Sequence, residues 1–273
     1  MEEGSFVGLG DLKIHTRSWK PEGSPRAVVV ISPGFNSHSG HYDWAAQQLA
    51  GHGLAVYAID HRGRGQSEGE RFYVETMDEY VADLSTYIDS AKAENPGLKT
   101  FLLGHSAGGV IACSYCLDHP TGVDGLICES FAFQVPAPDI ALAILKGLSH
   151  IAPHAHVLKL HNKDFSRDAA WVEMMDNDPL IHNETQPTQT VAAMVRADER
   201  LKEEFGNIKL PVLILHGTED KATRPTGSQE FYDHTGATDK TLKLYEGHFH
   251  DLLADLGKEE VIGEIQTWID ARA

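Results

Sequence analysis

The chain has 273 residues, long for one average domain and within the range of an α/β fold built on a single core with an insertion. Its 40 acidic residues against 23 basic ones leave a net charge of −17, which opposes nonspecific attraction to nucleic acid or anionic lipid. No stretch approaches the ~18 apolar residues of a membrane span, and three cysteines, an odd count, outline no disulfide framework.

Met1-Glu2-Glu3-Gly4 is acidic and shows no basic region followed by an apolar run, so a cytoplasmic protein is expected. Residues 6–19 alternate loosely around Gly8 and Gly10 and read as an opening hairpin, with Leu12, Ile14 and Thr16 on one side. Ala27-Val28-Val29-Val30-Ile31 is a continuous β-branched run, the mark of a strand buried on both faces of a mainly parallel sheet. It ends at Ser32-Pro33-Gly34-Phe35-Asn36. A helix is expected over 39–52, stopped by Gly51 and Gly53, and Leu54-Ala55-Val56-Tyr57-Ala58-Ile59 is the next buried strand.

Residues 60–69 form a glycine-rich, charged loop that lacks the Gly-Lys-Ser/Thr ending or the Gly-x-Gly-x-x-Gly spacing of a phosphate cradle, and a structural loop is expected. Residues 76–97 carry Met77, Tyr80, Val81, Leu84, Tyr87 and Ile88 on one helical stripe. Phe101-Leu102-Leu103 then runs into Gly104-His105-Ser106-Ala107-Gly108, a Gly-x-Ser-x-Gly sequence between a strand and a helix, which is the signature of a nucleophile elbow. So tight a turn needs small residues beside the serine. It holds the Ser106 hydroxyl at the carboxyl end of the sheet, and it places the Ala107 amide at a helix N-terminus, facing a developing oxyanion.

The elbow helix ends near His119-Pro120, and residues 126–128 give another strand, so the order β-α-β-α-β-α-β implies a parallel sheet with helices on both faces. From 131 to 206 the alternation breaks and no buried strand is apparent. Ile140, Leu142, Ile144, Leu145, Leu148 and Ile151 make an apolar helix there, and an inserted helical cap over 131–206 is expected between core segments 1–130 and 207–273. Strands at 211–215 and 241–245 and helices at 225–234 and around Val261 to Ile269 complete the core, for about eight strands in all. Cys113 and Cys116 fall inside the elbow helix without a second pair, so core packing is expected rather than zinc or redox chemistry. Neither His154-x-His156 nor His248-x-His250 has metalloprotease spacing, so no metal and no cofactor is expected.

A serine hydroxyl is a poor nucleophile at neutral pH and needs a histidine to take its proton and a carboxylate to orient that histidine. The chain order is serine, acid, histidine. Only two strands remain after the cap: one ends at Glu219-Asp220, the other is followed by Glu246-Gly247-His248-Phe249-His250. Together these residues resemble the α/β-hydrolases, and within them the monoacylglycerol lipase and lysophospholipase-like serine hydrolases. The elbow, the loop from Asp60 to Ser67, the acid loop His216-Gly217-Thr218-Glu219-Asp220 and Asn177-Asp178-Pro179-Leu180 carry the likeness through nearly the whole chain.

The resemblance implies Ser106, Asp220 and His250 as the triad, with His250 five residues after the strand-end Tyr245, and His216 supporting the acid loop. It also implies Phe35 as second oxyanion donor beside Ala107. Pro33-Gly34 departs from the family's His-Gly, and the large Phe35 stands where a small residue is common. Phe35, His105, Leu142 and Leu145 are the candidates for substrate contact. The implied activity is hydrolysis of uncharged acyl esters through an acyl-enzyme, with a small-molecule ester as partner and no nucleic acid. Lysophospholipase, thioesterase or acyltransferase activity would use the same triad. Aminopeptidase activity would need an amine site, for which Glu129 and Glu173 are the candidates. A noncatalytic ligand receptor is the remaining alternative.

Overall fold

The β-branched runs become the middle of one eight-stranded sheet. A computed structural model describes residues 1–135 and 139–273, apart from the side chains of 139 and 140. The first part of the chain supplies β1 (Glu2–Val7), β2 (Lys13–Trp19), β3 (Ala27–Ser32), α1 (Asp43–Gly51), β4 (Leu54–Ile59), α2 (Met77–Glu94), β5 (Thr100–His105), α3 (Ala107–Asp118) and β6 (Gly125–Glu129). Next come α4 (Asp139–Ser149), β7 (His156–Leu158), α5 (Ala169–Asp176), β8 (Gln186–Pro187) and α6 (Thr188–Glu204). The chain closes with β9 (Val212–Gly217), α7 (Pro225–His234), β10 (Lys240–Tyr245) and α8 (Lys258–Asp270).

The strand order is β1-β2-β4-β3-β5-β6-β9-β10. β1 and β2 are antiparallel, as are β2 and β4, and the other neighbours run parallel. Because successive strand residues point to opposite faces, the same runs feed two cores. Val28, Val30, Leu102, Leu126 and Ile214 pack under α2, α3, α6 and α7. Val29, Ile31, Leu103, Ile127 and Leu213 pack under α1 and α8. Every residue of β3, β4, β5, β6 and β9 is buried, which is why these strands read as unbroken apolar runs.

The charged loop after β4 is structural, as expected. Asp60 accepts from the Ser39 and Gln66 amides, Arg62 pairs with Asp83, and Arg64 pairs with Glu184, so both arginines are already matched by carboxylates. Cys113, Cys116 and Cys128 are buried thiols; the sulfurs of Cys113 and Cys128 lie 3.7 Å apart, and burial pushes the Cys113 and Cys116 thiols up.

Three features differ from the sequence reading. The hairpin begins at Glu2, because Glu2, Glu3 and Gly4 pair with Ser18, Arg17 and Thr16 as an exposed edge strand that carries no apolar signal. The stretch in which no buried strand was apparent holds the antiparallel pair β7 and β8; every residue of β7 is exposed, so no buried run announces it. Finally, the apolar helix is only half covered. Leu142 and Leu145 are half-buried where α4 packs on α6, whereas Ile144 is 64% and Ile151 84% exposed. The Ile140 side chain lies outside the described residues. Among the described residues, no helix is long and apolar enough to cross a membrane.

Candidate active site

The carboxyl ends of β3, β5, β9 and β10 bring the candidate residues to one edge of the sheet. Ser106, between β5 and α3, has φ 54° and ψ −121°, a sparsely populated conformation for a residue with a side chain. Its surroundings leave no alternative. A Cβ on Gly108 would lie 1.9 Å from the Ser32 carbonyl oxygen, and one on Gly104 would lie 2.5 Å from that of Gly108. The absent side chains let α3 start hard against the end of β3. Ser106 is further pinned by its own N–H to the Glu129 carbonyl (2.9 Å).

The same close approach sets the loop after β3 beside the serine, since a Cβ on Gly34 would meet Ser106 Cβ at 2.8 Å. Among the described residues, neither the Phe35 nor the Ala107 N–H is taken by a loop, turn or side-chain acceptor. Both therefore remain available as donors. The loop does not need the family's histidine to hold its shape. Ser32 Oγ lies 2.9 Å from His61 Nε2, and the Asn36 N–H donates to Glu184 Oε1 at 2.9 Å. The Phe35 ring lies under the Arg64 guanidinium, 4.1 Å from its centroid.

Asp220 and His250 meet from the ends of β9 and β10. His250 Nδ1 lies 2.7 Å from Asp220 Oδ2, and the same carboxylate is held by His216 Nε2 (3.0 Å), the Thr223 hydroxyl (2.8 Å) and the amides of Ala222 and Thr223. Burial alone would push the Asp220 carboxyl up. The His250 imidazole and the hydrogen bonds from His216 and His250 outweigh burial and hold it well below the usual carboxylate range. Among the described residues, the hydrogen bonds of the His250 ring are at Nδ1, to Asp220 and more loosely to Thr223, which leaves Nε2 to face a proton donor. Its ring is held between those of Phe165 and His105, each 5.0 Å away centroid to centroid. His248 instead lies against Tyr245, with Nδ1 3.9 Å from Asp255, and Glu219 takes no part in the pair.

His105 lies behind the serine rather than open to solvent: Nδ1 meets Tyr42 Oη at 2.8 Å and Nε2 meets Asp251 Oδ1 at 3.3 Å. Burial would lower this imidazole, but the Glu129 and Asp251 carboxylates raise it to about 9. Sequence reasoning missed Thr223, Asp251 and Glu184. Each acts on a residue far off in the chain or through a hydroxyl too common to stand out.

His38, His41 and Asp178 also converge, with both Nε2 atoms 2.8 Å from Asp178 Oδ2. The Gly40 N–H donates to His38 Nδ1, so the His38 proton stays on Nε2 and donates to Asp178. A metal at that nitrogen would need the opposite tautomer. The cluster is a hydrogen-bonded tie between the loop after β3 and the segment after α5.

A serine on a strained elbow and a buried carboxylate–histidine pair at the end of a mainly parallel sheet define a serine hydrolase of the α/β-hydrolase class. Residues 23–257 match the family model described as serine aminopeptidase, S33. The chain is 31% identical to the monoacylglycerol lipase of Mycolicibacterium smegmatis, over 98% of its own length and 96% of that protein. To the monoglyceride lipase of Homo sapiens it is 33% identical, over 94% and 86%. The crystal structure of Paleococcus ferrophilus monoacylglycerol lipase superposes with a TM-score of 0.84 at 31% identity, covering 95% of this chain and 99% of that one. A soluble variant of the Saccharomyces cerevisiae monoglyceride lipase gives 0.90 at 21% identity, over 99% and 95%, a likeness of fold alone. The chain therefore belongs to the serine aminopeptidase S33 family, in its monoacylglycerol lipase-like group, and is a carboxylic ester hydrolase.

Proposed function

We propose that the chain hydrolyses monoacylglycerol-like, uncharged acyl esters with Ser106 as nucleophile, His250 as base and acid, and Asp220 as the orienting carboxylate. The single observation that carries this reading is the 2.7 Å contact between His250 Nδ1 and a fully buried Asp220 carboxylate, beside a serine on a strained elbow. In the first half-reaction Ser106 Oγ bonds to the ester carbonyl carbon and its proton passes to His250 Nε2. The carbonyl oxygen takes up negative charge against the Phe35 and Ala107 amides. As the C–O bond breaks, His250 gives that proton to the leaving alcohol. In the second, water repeats the attack: its proton goes to His250, its oxygen bonds to the acyl carbon, and the acyl–Ser106 bond breaks with the proton returned to Ser106.

Residues 131–206 are taken as a cap over the core formed by 1–130 and 207–273. The half-buried Leu142 and Leu145 on α4 are its acyl-facing candidates, and the relatives' names favour a monoacylglycerol. The amine site of an aminopeptidase finds less support: Glu129 is 1% exposed and accepts from the Leu253 amide, and Glu173 is on the exposed side of α5. Three buried free thiols agree with a reducing, cytoplasmic setting. A panel of monoacylglycerols of graded chain length, lysophospholipids, thioesters and aminoacyl amides tests the assignment. The highest kcat/KM is expected on a monoacylglycerol, and Leu142→Ala or Leu145→Ala should shift the preferred chain length. Faster turnover of aminoacyl amides, or an unshifted length profile, would count against it.

A further inference from the structure

Behind the candidate triad lies a second buried set of charges that the reaction scheme leaves unused. Asp251 directly follows His250 in the chain. Its Oδ1 meets His105 Nε2 at 3.3 Å, and its Oδ2 accepts from Trp171 Nε1 of α5 at 3.2 Å. The Asp251 N–H donates to the Phe165 carbonyl at 2.8 Å, and the Phe165 ring packs on that of His250. Glu129 approaches from β6 and accepts from the Leu253 amide. Further stitches join the same two segments: Arg167 N–H and Nε donate to Asp255 at 2.7 and 2.8 Å, and the Ser166 hydroxyl donates to the Ala254 carbonyl. The loop that carries His250 is thus tied to residues 165–171, as well as to the sheet.

A buried carboxylate is costly unless its charge is matched. Asp251 faces the His105 ring of the elbow, a 3.3 Å contact that closes no hydrogen bond, and accepts from the Trp171 indole. His105 in turn packs against the His250 ring at 5.0 Å, so Asp251 ties the backbone next to His250 through its own N–H to Phe165 and bears on one face of the His250 ring through His105. We infer that Asp251 is a positioning residue for His250, and that Trp171 acts through it, so that the cap segment around α5 sets the geometry of proton transfer without touching the substrate. The inference rests on the reading of His250 as the base. A displacement of a catalytic group by ~1 Å is enough to cost about 100-fold in rate.

The test compares Asp251→Ala, Trp171→Phe and the double variant on one short-chain ester, with active sites counted by fluorophosphonate labelling of Ser106. Trp171→Phe keeps an aromatic ring against His41 while removing the indole N–H together with the second ring, a milder change that serves even if Asp251→Ala folds poorly. The expected result is a fall in kcat per labelled site of about 10- to 100-fold for Asp251→Ala and about 3- to 10-fold for Trp171→Phe, with KM within about twofold. The double variant should be no slower than Asp251→Ala, because the indole acts only through the carboxylate. Unchanged kcat per labelled site, or effects that simply multiply in the double variant, would overturn the inference while leaving the triad standing. Failure of Ser106 to label in the unaltered protein would instead overturn the triad reading beneath it.

Discussion

At Ser106 the backbone adopts φ 54°, a region that costs a side-chain-bearing residue ~1–3 kcal/mol and persists only where neighbours over-determine it. The neighbours are Gly104 and Gly108, whose missing side chains let β3, β5 and α3 meet. His250 is determined as tightly, by Asp220 at Nδ1 and by two flanking rings, whereas His248 lies against Tyr245 and Gly257 with Asp255 3.9 Å from Nδ1. The two histidines of Gly247-His248-Phe249-His250 should therefore respond unequally to truncation. His250→Ala is expected to lower kcat by at least about 10⁴-fold. His248→Ala is expected to leave kcat within about threefold, since it makes no hydrogen bond to the pair. Steady-state kinetics on any turned-over ester reads the difference, and equal losses would contradict the assignment.

Among elements, the five fully buried strands and the elbow were legible because their side-chain requirements are local: β-branched runs for a covered sheet, glycines for a tight turn. The segment between β6 and β9 was legible as an interruption carrying one apolar helix, α4. Its β7 is exposed; α6 packs on the core through Ala193, Met194, Ala197 and Leu201, and further ties are polar contacts between residues far apart in sequence, above all Glu184, which pairs with Arg64 and accepts from the Asn36 amide. Nothing local marks such a glutamate. Removing it would leave the buried Arg64 without its carboxylate and the loop of Phe35 without the acceptor for its Asn36 N–H. Glu184→Ala is expected to destabilise the fold by about 3–5 kcal/mol and to lower kcat. Denaturant unfolding with kinetics on the folded fraction checks both, and a change under about 1 kcal/mol would contradict the role given to this contact. The candidate triad was legible as three strand ends. The surrounding charges were not, because Asp251, Glu129 and His105 meet only when β5, β6 and the loop after β10 are brought side by side.

For the whole molecule, two buried histidines titrate in opposite senses. His61 is lowered to about 3, by burial first and then by Arg64, so the unfolded chain takes up its proton before the folded one. Stability from this residue is lost as pH falls from about 6.5 toward 3. His105 is raised to about 9 by Glu129 and Asp251 against the effect of burial, so the folded chain holds its proton longer. Its contribution is complete below about pH 6.5 and is lost as pH rises toward 9. Thermal unfolding across this range should peak near pH 6.5, and Asp251→Asn should flatten the alkaline side while leaving the acid side in place. A stability that keeps rising from pH 6.5 to 9 would contradict the charge given to His105.

The kinetic expectations presuppose a nucleophilic Ser106. The most direct measurement treats the protein and its Ser106→Ala variant with a fluorophosphonate, maps the modified peptide by mass spectrometry, and follows monoacylglycerol hydrolysis in parallel. The label should sit on Ser106 alone, and Ser106→Ala should remain folded, take up no label and lose turnover by about 10⁴-fold or more. Label on another residue, or near-normal hydrolysis by a folded Ser106→Ala, would contradict the account.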